Sequence, residues 1–105
     1  MIRVLIADDE RLLRSAIASL LNLEDSITVV AQANTGPEAV ALTAEHRPDV
    51  VLLDLEMPGL DGVEAASEIL RQRPEQAIIL LTRHGGPGVL RRALRAGALP
   101  VPRGG

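Results

Sequence analysis

The run Val50-Val51-Leu52-Leu53 ends abruptly at Asp54, and this constrains the fold more than any other feature of the chain. Four apolar residues without alternation, rich in Val and Leu, predict a short strand buried on both faces, as in a parallel sheet. Asp54 then marks the point where the strand leaves the core. Two further runs behave alike. Ile2 to Ala7 stops at Asp8-Asp9-Glu10, and Ala77 to Leu81 stops at Thr82. If the three strands are parallel, all these polar ends fall on one edge of the sheet. That carboxyl edge is where open α/β sheets hold their ligands.

The text between these runs supports the parallel arrangement. Glu10 to Leu21 has Leu13, Ile17, Leu20 and Leu21 at helical spacing, which predicts a first helix with those residues inward. Ile27 to Ala33 reads as a second strand. Thr35 with Glu38 three residues on reads as the cap of a second helix ending at Arg47, just before Pro48. Met57-Pro58-Gly59 is a turn signal. Asp61 with Glu64 caps a third helix running to about Arg73, with Val63, Ala66, Ile69 and Leu70 inward and Pro74 as its stop. A fourth helix is expected from about Pro87 to Ala96, with Gly97 after it. Strands alternating with helices of this length make right-handed βαβ units.

Composition narrows the function. The 105 residues suit one domain, and 47% of them are apolar, but no Phe, Tyr or Trp is present. The core must therefore be Leu, Ile, Val and Ala. Every basic residue is Arg. The net charge of −3 is split: residues 1–60 carry 10 acids against 4 Arg, and residues 61–105 carry 4 acids against 7 Arg. An acidic chain is a poor nucleic-acid binder by charge alone. Absence of Cys excludes disulfides and thiol chemistry, and no apolar run approaches a membrane span. A cytoplasmic location is expected.

Gathering carboxylates at one edge is costly. Two unit charges about 4 Å apart repel by roughly 4 kcal/mol at an effective dielectric near 20. A counter-charge or a raised pKa is needed. Hard oxygen donors without Cys or a neighbouring His point to Mg²⁺ rather than zinc. His46 and His84 are too isolated to form a metal site. Asp8 or Asp9 also has the residue type and place to cap the first helix.

In order and spacing, Asp8-Asp9, Asp54, Met57-Pro58-Gly59, Asp61-Gly62 and Thr82 resemble a bacterial two-component response-regulator receiver domain. The stretch Leu81 to Leu94, with Gly86-Pro87-Gly88 and Leu90-Arg91-Arg92-Ala93-Leu94, is similar to receivers that precede a LuxR/FixJ-type helix-turn-helix. The resemblance covers residues 1 to about 98. It implies an α/β fold, a doubly wound, flavodoxin-like parallel sheet of strand order 2-1-3-4-5. It also implies Asp54 as phosphoacceptor and Mg²⁺ held by Asp8, Asp9, Asp54 and the Glu56 carbonyl. Thr82 would donate its hydroxyl to the phosphoryl group and move as the switch. A sensor histidine kinase is the implied partner and a second copy of the chain a further candidate. Transcription would be regulated through an output domain absent from this sequence. The chain would be a signalling domain rather than an enzyme, catalysing only its own phosphoryl transfer and loss.

Beyond Ala98 the resemblance fails. A receiver continues with a fifth strand holding an aromatic, then a Lys, then a fifth helix; here Leu99-Pro100-Val101-Pro102-Arg103-Gly104-Gly105 follows. Two prolines in four residues suit a sheet edge at best. The expected organisation is a receiver over residues 1–98 and a divergent tail over 99–105, with strand five degenerate and helix five missing, as a frameshifted or prematurely ended reading frame would leave it. Arg103 is the nearest candidate for the Lys, but its planar fork does not replace an ammonium silently. Weak switching and marginal stability are the corresponding expectations. The bland readings are a strand-end acid for Asp54, a β-branched strand residue for Thr82, and solvated surface for Glu56, His84, Arg91, Arg92 and Arg95. Of the rival classes, a haloacid-dehalogenase-type phosphatase needs Asp-x-Asp after strand one, and a dinucleotide-binding enzyme needs Gly-x-Gly-x-x-Gly there; neither is present. A non-signalling remnant or stand-alone binding module of the same fold is the serious alternative; phosphorylation without altered partner binding would favour it.

Overall fold

Strand β1 (Ile2–Ala7) leads into helix α1 (Arg11–Asn22), then β2 (Ile27–Ala33), α2 (Gly36–His46), β3 (Val50–Asp54), α3 (Gly62–Gln72), β4 (Ala77–Thr82) and β5 (Leu99–Pro102). The structure is a computed structural model, and it describes residues 1–57, 61–82 and 99–102. All strand pairs are parallel, and the sheet order is β2-β1-β3-β4-β5. The flavodoxin-like order implied by the sequence is therefore the observed one. The fourth helix expected from Pro87 to Ala96, with Arg91, Arg92 and Arg95, lies outside the described residues, as do Pro58, Gly59, His84 and Arg103.

Local chemistry sets the helix ends. Thr35 Oγ1 accepts the Glu38 N–H at 3.3 Å, and Asp61 Oδ1 accepts the Glu64 N–H at 2.9 Å. Each satisfies a backbone donor with no partner inside its helix. α2 ends on Arg47 in the left-handed region, φ 48°.

Among the described residues the sheet's two faces are unequally covered. Leu5, Val51 and Ile78 lie across from one another in register, as do Ala7, Leu53 and Leu80. These six are buried with Ala39 of α2 and Ala65, Ala66 and Ile69 of α3 in the main core. Small alanines let both helices approach closely, which is how a core without aromatic rings fills its space. On the opposite face Val4 and Ile6 meet Ala18 of α1, with Ile17, Leu21 and Leu52 packed around them.

Two expectations fail on that second face. β3 is not buried on both sides: Val51 and Leu53 are sealed, whereas Val50 and Leu52 are half-buried. Nor do Leu13 and Leu20 of α1 point inward; they are 36% and 65% exposed. The helix rests on Ile17, Ala18 and Leu21, and Leu20 lies about 100° around the axis from Leu21. The apolar stripe of α1 is wider than the strip of sheet it covers.

β5 pairs with β4 from Ile79↔Leu99 to Thr82↔Pro102 and occupies the edge. Pro100 and Pro102 are two positions apart and so fall on the same side of the strand. A donor missing from the outer side of an edge strand costs the sheet no ladder bond.

Candidate functional site

β1 and β3 are neighbours in register from Val4↔Val50 to Ala7↔Leu53. One residue further, each strand presents an acid, Asp8 and Asp54. Register alone sets these two side by side. Asp8 is 0% exposed and Asp54 1%. Each accepts a backbone N–H two residues on, Asp8 Oδ1 from Glu10 at 2.8 Å and Asp54 Oδ1 from Glu56 at 3.1 Å. Such turns on their own side chains are what Asp does best at the end of a strand.

Asp9 is exposed, yet it joins them. One carboxylate oxygen from each of Asp8, Asp9 and Asp54 lies within 4.8 Å of the other two. Three acids so close are an anionic site that can hold a metal ion. The donor set is all oxygen, with two buried acids and one open to water. That suits a hard divalent cation that keeps part of its hydration shell.

Neither Asp8 nor Asp9 caps α1, contrary to one reading of the sequence. The N-cap is Glu10, and no side chain bonds there. Asp8 stands too far before the helix and spends its oxygen on the Glu10 N–H instead. The Glu56 side chain is exposed. Thr82 is the last residue of β4, directly after Leu81, the partner of Asp54. The Leu55 N–H donates to the Leu81 carbonyl at 3.0 Å, carrying the β3–β4 ladder past Asp54.

Two residues to which the sequence reading gave no role of their own hold the site in place. Gly62 opens α3 against the end of β3, its N–H donating to the Leu55 carbonyl at 2.9 Å. A Cβ there would overlap the Asp54 carbonyl oxygen and Leu55 Cα. In the sequence it stood only as the Gly of Asp61-Gly62, directly after a helix cap, with no role attached. Arg14 of α1 donates from Nη1 to the Asp8 carbonyl at 2.7 Å and to Asn34 Oδ1 at 2.9 Å, and from Nε to Gln32 Oε1 at 3.2 Å. Nothing in its spacing announced this.

Residues 4–101 match the response regulator receiver domain family. The chain belongs to that family. This receiver is 44% identical over 97 residues to the transcriptional regulatory protein DesR of Bacillus subtilis, covering 92% of this chain and 48% of DesR. It is 40% identical over 99 residues to LiaR of the same organism, covering 94% and 47%. The chain thus spans about half the length of the curated relatives it matches. Among solved structures, a LuxR-family two-component response regulator from Aurantimonas superposes with a TM-score of 0.92 at 32% identity, over 97% of this chain and 74% of that one. The isolated receiver domain of RcsB from Salmonella enterica, solved with phosphomimetic BeF3⁻, gives 0.88 at 27%, over 99% and 78%. Among the described residues no helix is long and apolar enough to cross a membrane.

Proposed function

We propose that this receiver takes a phosphoryl group from the phosphohistidine of a sensor histidine kinase onto Asp54, and that the phosphorylated form regulates transcription through an output domain. The observation that carries the reading is the meeting of Asp8, Asp9 and Asp54 at the carboxyl edge, two of them buried. Family membership and the phosphomimetic in the related RcsB receiver support it.

In this reading an Asp54 carboxylate oxygen attacks phosphorus. An O–P bond forms as the N–P bond of the phosphohistidine breaks, and the departing imidazole takes up a proton. Asp8, Asp9, Asp54 and the Glu56 carbonyl hold Mg²⁺. Bound there, the ion supplies positive charge against the phosphoryl oxygens. The Glu56 N–H already donates to Asp54 Oδ1, which orients the carboxylate before any donor arrives. Thr82 donates its hydroxyl to the transferred group, and Arg103 stands in for the family's Lys. A cytoplasmic location and pairing with a second copy accompany the proposal. The surplus of acids leaves DNA contact to the output domain.

Intact-mass measurement after treatment with acetyl phosphate tests this. The wild type is expected to gain one phosphoryl mass in the presence of Mg²⁺ and none in EDTA, and Asp54→Asn to gain none in either. Equal labelling of the two proteins would overturn the role given to Asp54.

A further inference from the structure

We propose that Arg14 is a positioning residue for the metal site, acting through the Asp8–Asp9 peptide. The inference rests on the reading of Asp8, Asp9 and Asp54 as the Mg²⁺ site and adds a part to it.

The three acids are not held in the same way. Asp8 and Asp54 are buried, and each is tied by its own side chain to a backbone N–H. Asp9 is exposed, and its carboxylate makes no hydrogen bond among the described residues. It nonetheless stands within 4.8 Å of the other two. Its place must come from its backbone, and the main chain of Asp8 just before it is held on both sides. The Asp8 N–H donates to the Ala33 carbonyl of β2 at 3.0 Å, and the Asp8 carbonyl accepts from Arg14 Nη1 at 2.7 Å. That carbonyl belongs to the Asp8–Asp9 peptide plane, so the guanidinium fixes the plane from which the Asp9 side chain departs.

Arg14 is itself anchored. Its other contacts are Gln32 Oε1 on β2 and Asn34 Oδ1 just beyond it. The Asn34 N–H donates to Glu38 Oε1 at 3.3 Å in the first turn of α2. The planar fork therefore ties α1 to the ends of β1 and β2, and Asn34 carries the link on to the start of α2. A Lys has charge but no rigid fork, and it cannot span three separate acceptors in this way. Partners one shell out from a metal's ligands are commonly worth 10–100-fold in affinity.

Geometry and charge push in opposite directions at Arg14. As a nearby cation, Arg14 would oppose Mg²⁺, and its removal would tighten binding. As a positioning group, its removal weakens binding.

The test is calorimetric titration of the whole chain with MgCl₂, alongside amide shifts of Asp8 to Glu10. Roughly tenfold weaker Mg²⁺ binding is expected for Arg14→Ala, at the low end of outer-shell effects. Arg14→Lys is expected to weaken it also, since charge alone does not restore the fork. Asn34→Ala leaves the bond to Asp8 but loosens its anchor, so a smaller loss is expected. Equal or tighter binding in folded Arg14→Ala would overturn the inference. Should that variant not fold, Asn34→Ala decides: weaker binding supports the positioning role, and unchanged binding overturns it. A wild type that binds no Mg²⁺ would overturn the metal-site reading and this inference together. Wild-type binding that survives Arg14→Ala intact would overturn this inference alone.

Discussion

The helix-covered face of the sheet and its carboxyl edge are made from the same strands and are built on opposite terms. On the face, Leu5, Val51, Leu53, Ile78 and Leu80 meet alanines of α2 and α3, and removing apolar surface from water stabilises the fold. At the edge the next residues along β1 and β3 are Asp8 and Asp54, buried beside one another with Asp9 close by. There the sequence puts like charges where each disfavours the others. A step of one residue along the chain separates the part that holds the domain together from the part that strains it. Strain of this kind, in a family whose members signal, is expected of a binding site rather than of a scaffold.

Gly62 joins the two regions, and replacing it is expected to have the largest effect. A Cβ at this position would run into backbone atoms of Asp54 and Leu55, which have no flexible end to swing aside. Gly62→Ala is expected to cost about 3 kcal/mol, as overpacking does at an unyielding site. It should also move the Asp54 backbone, so phosphoryl labelling should fall together with the denaturation midpoint. An alanine variant with wild-type midpoint and labelling would show that face and edge are not coupled there.

Thr43 sharpens the comparison from within the face. It is 1% exposed on α2, and its hydroxyl has no hydrogen-bond partner among the described residues. Thr43→Val keeps the shape and removes the polar atom. A gain of about 1 kcal/mol is expected, since a buried polar group without a partner costs that much or more. A lower urea midpoint for Thr43→Val would mean that the hydroxyl is bonded in solution.

Much of this was legible in the sequence, for reasons that differ by element. β3 was legible because an unbroken Val/Leu run has few other places to go, and its terminal acid followed from that. The caps Thr35 and Asp61 were legible because a short oxygen-bearing side chain followed by Glu three residues on is a local device. α1 was misread on Leu13 and Leu20 because periodicity names a face of the helix but not the width of the surface beneath it. Arg14 was not legible at all. Its acceptors are six, eighteen and twenty residues away in sequence, and they come together only once β2 lies beside β1.

The smallest effect is expected on the outer side of α3, away from both regions. Glu68 is partly exposed, and its carboxyl is lowered from 4.5 to about 2. The hydrogen bond from Arg71 is the main cause and that from Gln72 the next. A depressed carboxyl contributes stability that is fully present above its unfolded value and is lost as pH falls through its folded value. The window here runs from 4.5 down to about 2. Solvent screening leaves the contribution small. In a carbon-detected NMR titration, Arg71→Met should raise the Glu68 midpoint toward 4.5, while Asp54 labelling stays unchanged. An unmoved midpoint would remove Arg71 as the cause.

The opposition between face and edge is tested most directly by the melting temperature of the wild type and Asp54→Asn, each with and without Mg²⁺. Asn keeps the Oδ1 acceptor for the Glu56 N–H and removes one charge from the cluster. Without metal, Asp54→Asn is expected to melt higher by a few degrees, corresponding to roughly 1 kcal/mol for a domain of this size. Mg²⁺ is expected to raise the wild type's melting point and to raise the variant's much less, because a ligand stabilises in proportion to its affinity for the folded state. A variant that melts lower without metal, and that gains as much from Mg²⁺ as the wild type, would contradict a strained metal-binding edge centred on Asp54.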